Sequence, residues 1–226
     1  MAAPYIVRTG SFANGFGAST SGNMPTVDSG GLGSLICHLS VKVSESVSCA
    51  TSGWTKISET VNSIQSSSLW IADQNAATPT FTWSTSAAFA SVTGYYRDDT
   101  GEQLSTTQVG ALLAETNASG STITNAGITA EQNNSLFVYV VSCGDLNMSD
   151  PSGWSAVYDV GSGTGGNLSM FTQASSGLGD STGTITNYPD YFASNADNYV
   201  SIAFEVIRDA GSPSGPVLTR RRQAFL

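Results

Sequence analysis

Residues 34–41 read Ser34-Leu35-Ile36-Cys37-His38-Leu39-Ser40-Val41, and residues 135–142 read Ser135-Leu136-Phe137-Val138-Tyr139-Val140-Val141-Ser142, a spacing of 101. Both alternate with a period of two, the pattern of a strand with two distinct faces. In the first stretch Leu35, Cys37, Leu39, Val41 and Val43 share one face, and Ile36, His38, Ser40, Lys42 and Ser44 share the other. The second stretch is apolar on both sides, with Leu136, Val138 and Val140 opposite Phe137, Tyr139 and Val141. A strand of that kind is covered on both faces, so its outward face is expected to meet the unit built around the first stretch.

The likeness extends outward. Ser52-Gly53-Trp54-Thr55 returns as Ser152-Gly153-Trp154-Ser155, at a spacing of 100. Ser68 to Gln74 lines up with Asn167 to Gln173, and Thr78 to Trp83 with Thr182 to Asn187. Ser91 to Asp98 matches Ser201 to Asp209 with one residue inserted. Blocks in one order, with an offset that drifts where Gly, Ser and Asn mark loops, indicate an internal duplication. The reading is two homologous units, 1–102 and 103–211, followed by a linker and tail, 212–226. Thr80 to Trp83 and Thr184 to Thr186 are β-branched or aromatic alternations of strand type. Gly161 to Gly166 reads as a hairpin loop. One short helix is predicted over Ser105 to Thr116, weakened by Gly110. About seven or eight short strands per unit make the fold all-β, two tandem jelly-roll-like β-sandwiches with a C-terminal tail.

Composition narrows function. The chain has 226 residues, with 24 Gly, 3 Cys, one His and a formal net charge of −9. Its 35 Ser and 24 Thr make hydroxyl side chains about a quarter of the whole, and only 11% of residues are charged where soluble domains carry about 25%. The acidic balance argues against a nucleic-acid partner. No apolar run is long enough for a membrane helix, so no membrane insertion is expected. Met1 to Gly10 lacks the apolar run of a secretion signal, which points to synthesis in a cytoplasm. Three cysteines without CxxC spacing and a single histidine indicate neither a disulfide framework nor a metal centre, and no cofactor is expected.

Candidate sites are few. Trp54 and Trp154 follow Ser-Gly at equivalent places and are expected to seal the cores, with glycine allowing the tight turn before the strand. Asp98-Asp99-Thr100-Gly101-Glu102 groups hard oxygen donors but lacks EF-hand spacing and reads as a solvated linker turn. His38 lies mid-strand without a GxSxG elbow and reads as a surface or interface residue. Cys37 is expected in the core, and Cys49 and Cys143 near strand ends. Three Asn-x-Ser matches, at Asn117, Asn147 and Asn167, carry little weight without a signal peptide. No catalytic residue is predicted. The tail stands apart: Arg220-Arg221-Arg222 gathers three of eight basic residues ahead of Phe225 and Leu226. These five residues form a candidate peg for an acidic or apolar recess on a partner.

The repeated Ser-Gly-Trp-Thr/Ser, the Gly/Ser loops and the strands ending Tyr95-Tyr96-Arg97-Asp98 and Val206-Ile207-Arg208-Asp209 resemble the β-rich structural proteins of tailed bacteriophages. The resemblance covers roughly residues 30–100 and 132–210. It implies a non-enzymatic virion component, a capsid decoration or a tail or fibre adaptor, that contacts other virion proteins and forms a homo-oligomer. A second expectation, of another class, is a host-surface glycan-binding module using Trp83, Tyr188 and Tyr191 as stacking platforms. A β-sandwich glycosidase is a third, with no motif behind it.

Overall fold

The computed structural model describes residues 5–7, 13–21, 34–73, 75–97, 109–123, 128–129, 136–143, 155–162, 166–174, 184–185 and 191–206, with side chains at 13–21, 34–73, 75–94, 136–142, 157 and 200–206. These residues are all-β and contain no helix. The first sheet is formed by β1 (Tyr5–Val7), β2 (Ala13–Ser21), β3 (Ser34–Val41), β4 (Ser48–Cys49), β5 (Trp54–Val61), β6 (Ser66–Asp73) and β7 (Thr80–Arg97). The second is formed by β8 (Val109–Ile123), β10 (Leu136–Cys143), β11 (Ser155–Ser162), β12 (Gly166–Ala174) and β14 (Tyr191–Val206). A small ribbon pairs β9 (Ile128–Thr129) with β13 (Thr184–Ile185).

Every ladder is antiparallel, and the two sheets have the same order. The first runs β7-β3-β6-β5 and the second β14-β10-β12-β11. β1 and β2 pair with β7 as β8 pairs with β14. Both outer strands even carry an irregularity at the same place, between Lys56 and Ser58 on β5 and between Ala156 and Tyr158 on β11. The residues inside these bulges, Ile57 and Val157, both pack against one shared core. A bulge lets one extra residue turn inward at a sheet edge, and here it does so in both sheets. Ser162 pairs with Gly166, so the glycine-rich stretch does close a hairpin.

The register corrects two expectations. His38 pairs with Leu69 and Val92, while Val140 pairs with Met170 and Ile202. The matching bulges make Leu69 the equivalent of Met170, so β6 and β12 align at 101 and not at the 99 of the Ser68–Asn167 block. The equivalent of His38 is therefore Val140, and the central strands align at 102, not 101. One residue decides which face a side chain takes, because the period along a strand is two. Leu136, Val138 and Val140 thus correspond to Ser34, Ile36 and His38, not to Leu35, Cys37 and Leu39. The second correction concerns Ser105 to Thr116. From Val109 onward this segment is strand β8, paired with β14. Ala, Leu and Glu favour a helix locally, but a long ladder supplies hydrogen bonds along its whole length and overrides propensity.

The two sheets meet face to face. Ile36, Leu69, Ile71, Ala90 and Val92 of the first pack with Leu136, Val138, Val140, Ile202, Phe204 and Val206 of the second, every one of them buried. Each such aliphatic or aromatic side chain contributes about 1.5–3 kcal/mol on leaving water, so this interface carries a large part of the molecule's stability. β5 lies against β8 and β14, and β7 against β12. The opposite face of the first sheet holds a second core of Leu35, Cys37, Leu39, Val41, Val47, Trp54, Trp70, Ala72, Phe81, Trp83, Ala87 and Phe89. Strand β7 supplies Phe81, Trp83, Ala87 and Phe89 to it from alternate positions, and its ladder with β2 shifts register from Gly17–Ala87 to Ser19–Thr82 around the exposed residues Ser84 to Ser86.

Candidate functional site

The described tryptophans are built into the core of the first half. Trp54 opens β5 after Gly53, whose φ of 87° is the left-handed geometry that glycine adopts without strain. Its indole N–H donates to the carbonyl of Ala77 at 2.8 Å, and its ring meets Phe81 edge-on at 6.4 Å. Trp70 donates to the Ser68 hydroxyl at 2.9 Å and tilts against Phe81 at 5.3 Å. Trp83 is 7% exposed, donates to the carbonyl of Gly17 at 2.9 Å and packs on Phe89 at 5.7 Å. A buried indole with its N–H satisfied is a structural group. Trp54 thus takes the sealing role expected of it, whereas Trp83, expected as a sugar platform, presents no open ring face. Tyr191 begins β14 but its side chain lies outside the described residues, as do Tyr188, Trp154, the 98–102 acidic turn and the tail with Arg220, Arg221, Arg222, Phe225 and Leu226.

The site that sequence reading undervalued lies between the sheets. His38 is fully buried, and its Nε2 sits 3.0 Å from the Ser67 hydroxyl and 2.9 Å from the Ser142 hydroxyl. The two hydroxyls are 2.9 Å apart, so imidazole and serines close a triangle. Gln65 completes the cluster by donating from its side-chain amide to the Ser142 carbonyl at 2.9 Å. Ser67 comes from β6 and Ser142 from β10, so the cluster joins both halves of the chain. Burial pulls the His38 pKa from 6.5 down to about 3, which keeps the ring neutral at ordinary pH. Around Nε2, two hydroxyl protons serve three short edges if nitrogen accepts, so the serines can exchange donor and acceptor roles.

A serine against an imidazole has the atoms of a nucleophile and its base. Here Ser67 is 1% exposed and Ser142 and His38 are 0% exposed, so no substrate reaches them in the folded chain. The arrangement instead satisfies polar groups within an apolar interface and fixes how the two sheets register.

Three carboxylates in the described region, Glu45, Glu59 and Asp73, brace loops. Glu45 accepts from the backbone N–H groups of Ser84 and Thr85 at 2.8 and 3.2 Å and from the Ser84 hydroxyl. The Ser84 hydroxyl, with those N–H groups, holds the Glu45 carboxyl below its ordinary pKa. Glu59 accepts from the Val47 N–H at 2.7 Å and from Lys56 Nζ at 2.7 Å. Asp73 accepts from the Asn75 N–H at 2.8 Å. Among the described residues no group of three or more His, Cys, Asp or Glu is placed to hold a metal ion. Cys37 is buried in the aromatic core, where desolvation pushes its thiol up to about 12 despite the opposing Thr93 hydroxyl, so it is a packing residue and a poor nucleophile. Comparison with protein-family models, with curated proteins and with solved structures finds no match.

Proposed function

We propose that the chain is a non-enzymatic structural assembly module, acting through protein–protein contacts as virion decorations and tail or fibre adaptors do. In this reading the units 1–102 and 103–211 are homologous halves that pack sheet against sheet, and the tail 212–226 docks on a partner. The observation that carries it is the use made of polar groups. His38, Ser67, Ser142, Glu45 and Glu59 are engaged in holding sheets and loops to one another. Such a body is stiff, two-layered and low in charge, properties that suit a building element.

The test uses the full chain beside a form ending at Gly215. Removal of the last residues is expected to leave the melting temperature unchanged and to abolish association with partner particles. Unfolding of the shortened chain would refute the docking role of the tail. A glycan array with the full chain and a Tyr191→Ala variant addresses the host-surface alternative, and binding lost in that variant would replace the assembly reading.

A further inference from the structure

The two edges of the first sheet both carry a register shift, between Lys56 and Ser58 on β5 and between Gly17 and Ser19 on β2, but they differ in charge. β5 ends the sheet on one side and is guarded by Lys56 and Glu59, which form an ion pair there at 2.7 Å. Charges and bulges are the usual guards against strand-to-strand association. β2 is finished with neither charge nor proline. Ala13-Asn14-Gly15-Phe16-Gly17-Ala18-Ser19-Thr20-Ser21 pairs only with β7 among the described residues. In its middle Phe16 is 75% exposed, more than Val61 at 38% or Ile64 at 45%. The glycine before it is not open space, since a Cβ on Gly15 would come within 2.9 Å of the Phe89 ring. Gly15 therefore serves the sheet's own packing, while Phe16, one residue on and pointing the other way, is left outside.

We propose that β2 is a self-association edge, along which a second copy of this chain adds its own β2 in antiparallel pairing. The inference rests on the assembly reading and names a surface for it. An outward row of backbone N–H and C=O groups is recognised by another extended strand. A second copy fits for a reason of charge. Two chains of net charge −9 repel over most of their surfaces, and in a two-fold contact the same patch faces itself, residue i meeting residue j and j meeting i. An uncharged strand places no like charges opposite each other there, and the paired strands cover Phe16 from both sides.

Sedimentation equilibrium of the full chain over a wide concentration range tests this. The wild type is expected to approach twice the 23.3 kDa chain mass. Phe16→Lys and, separately, Ala18→Lys should return it to single-chain mass with the melting temperature unchanged, both positions being exposed. Val61→Lys, on the guarded edge, should remain associated. A wild type that stays at single-chain mass overturns the inference, and so does a dimer that survives both lysines. If the dimer survives them but dissociates on removal of residues 216–226, the assembly reading stands and the edge assignment falls.

Discussion

The strands β3 and β10 occupy the same place in the same sheet order, yet they are filled differently. At the four inward positions facing the other sheet, β3 has Ser34, Ile36, His38 and Ser40 where β10 has Leu136, Val138, Val140 and Ser142. The neighbouring strands follow suit: the register that equates His38 with Val140 equates Ser67 with Leu168. One half thus contributes a histidine and its serine partner, and the other fills both equivalents with aliphatic residues. Two sheets with one strand order do not need the same interior. They need only that each polar group meet a partner and each apolar group meet another, because an unpaired buried polar atom costs about 1–3 kcal/mol.

The comparison breaks most visibly if the halves do not share a core. Phe204→Ala, in the second half, is expected to destabilise by about 3–5 kcal/mol. It should shift tryptophan fluorescence, which reports mainly on Trp54, Trp70 and Trp83 of the first half, together with far-UV circular dichroism in one unfolding transition. Separate midpoints would mean that the halves unfold independently.

Exchanging the two interiors sharpens it further. Val140→His places an imidazole where the partner strand offers Leu168, and is expected to cost roughly 2–4 kcal/mol from overpacking and an unmet polar group. Urea denaturation at neutral pH measures this, and a neutral outcome would show that the serine partners are dispensable.

The polar half should also be the acid-sensitive one. The folded-state pKa of His38, about 3, lies below its ordinary 6.5, so the unfolded chain takes up the proton first. Its contribution is complete above about pH 6.5 and is lost as pH falls toward 3. At pH 5 the loss is about 2 kcal/mol, from one and a half pH units below the ordinary value. His38→Val, the residue found at the equivalent position, should remove that part of the pH dependence while the carboxylates titrate in both proteins. Parallel stability profiles for wild type and variant would refute it.

The smallest effect concerns a polar atom that the first half leaves unmet. The Ser91 hydroxyl is buried without a hydrogen-bond partner. Ser91→Ala should therefore raise stability by up to about 1 kcal/mol in the same urea measurement. A loss of stability would show that the hydroxyl is engaged.

Local chemistry was enough for much of this protein. The period of two along 34–41 and 135–142, the Gly53-Trp54 turn into a strand, the hairpin at 162–166 and the burial of Cys37 each follow from neighbouring residues, so they are legible in the chain. Repetition of blocks in order likewise announced a repeated strand order. Tertiary structure decided what depends on partners far away. Residues 109–116 became strand because β14 lay ready to pair with them, against the helical preference of Ala, Leu and Glu. The offset of 102 came from ladders, since a one-residue shift leaves composition unchanged and reverses every face. Trp83 went inward because its face of β7, shared with Phe81, Ala87 and Phe89, is covered by the second core, where β2 brings the Gly17 carbonyl to its indole. His38 meets Ser67 and Ser142 across 29 and 104 residues of chain. No local pattern encodes such a meeting, because two sheets must first pack before the imidazole has anything to hold.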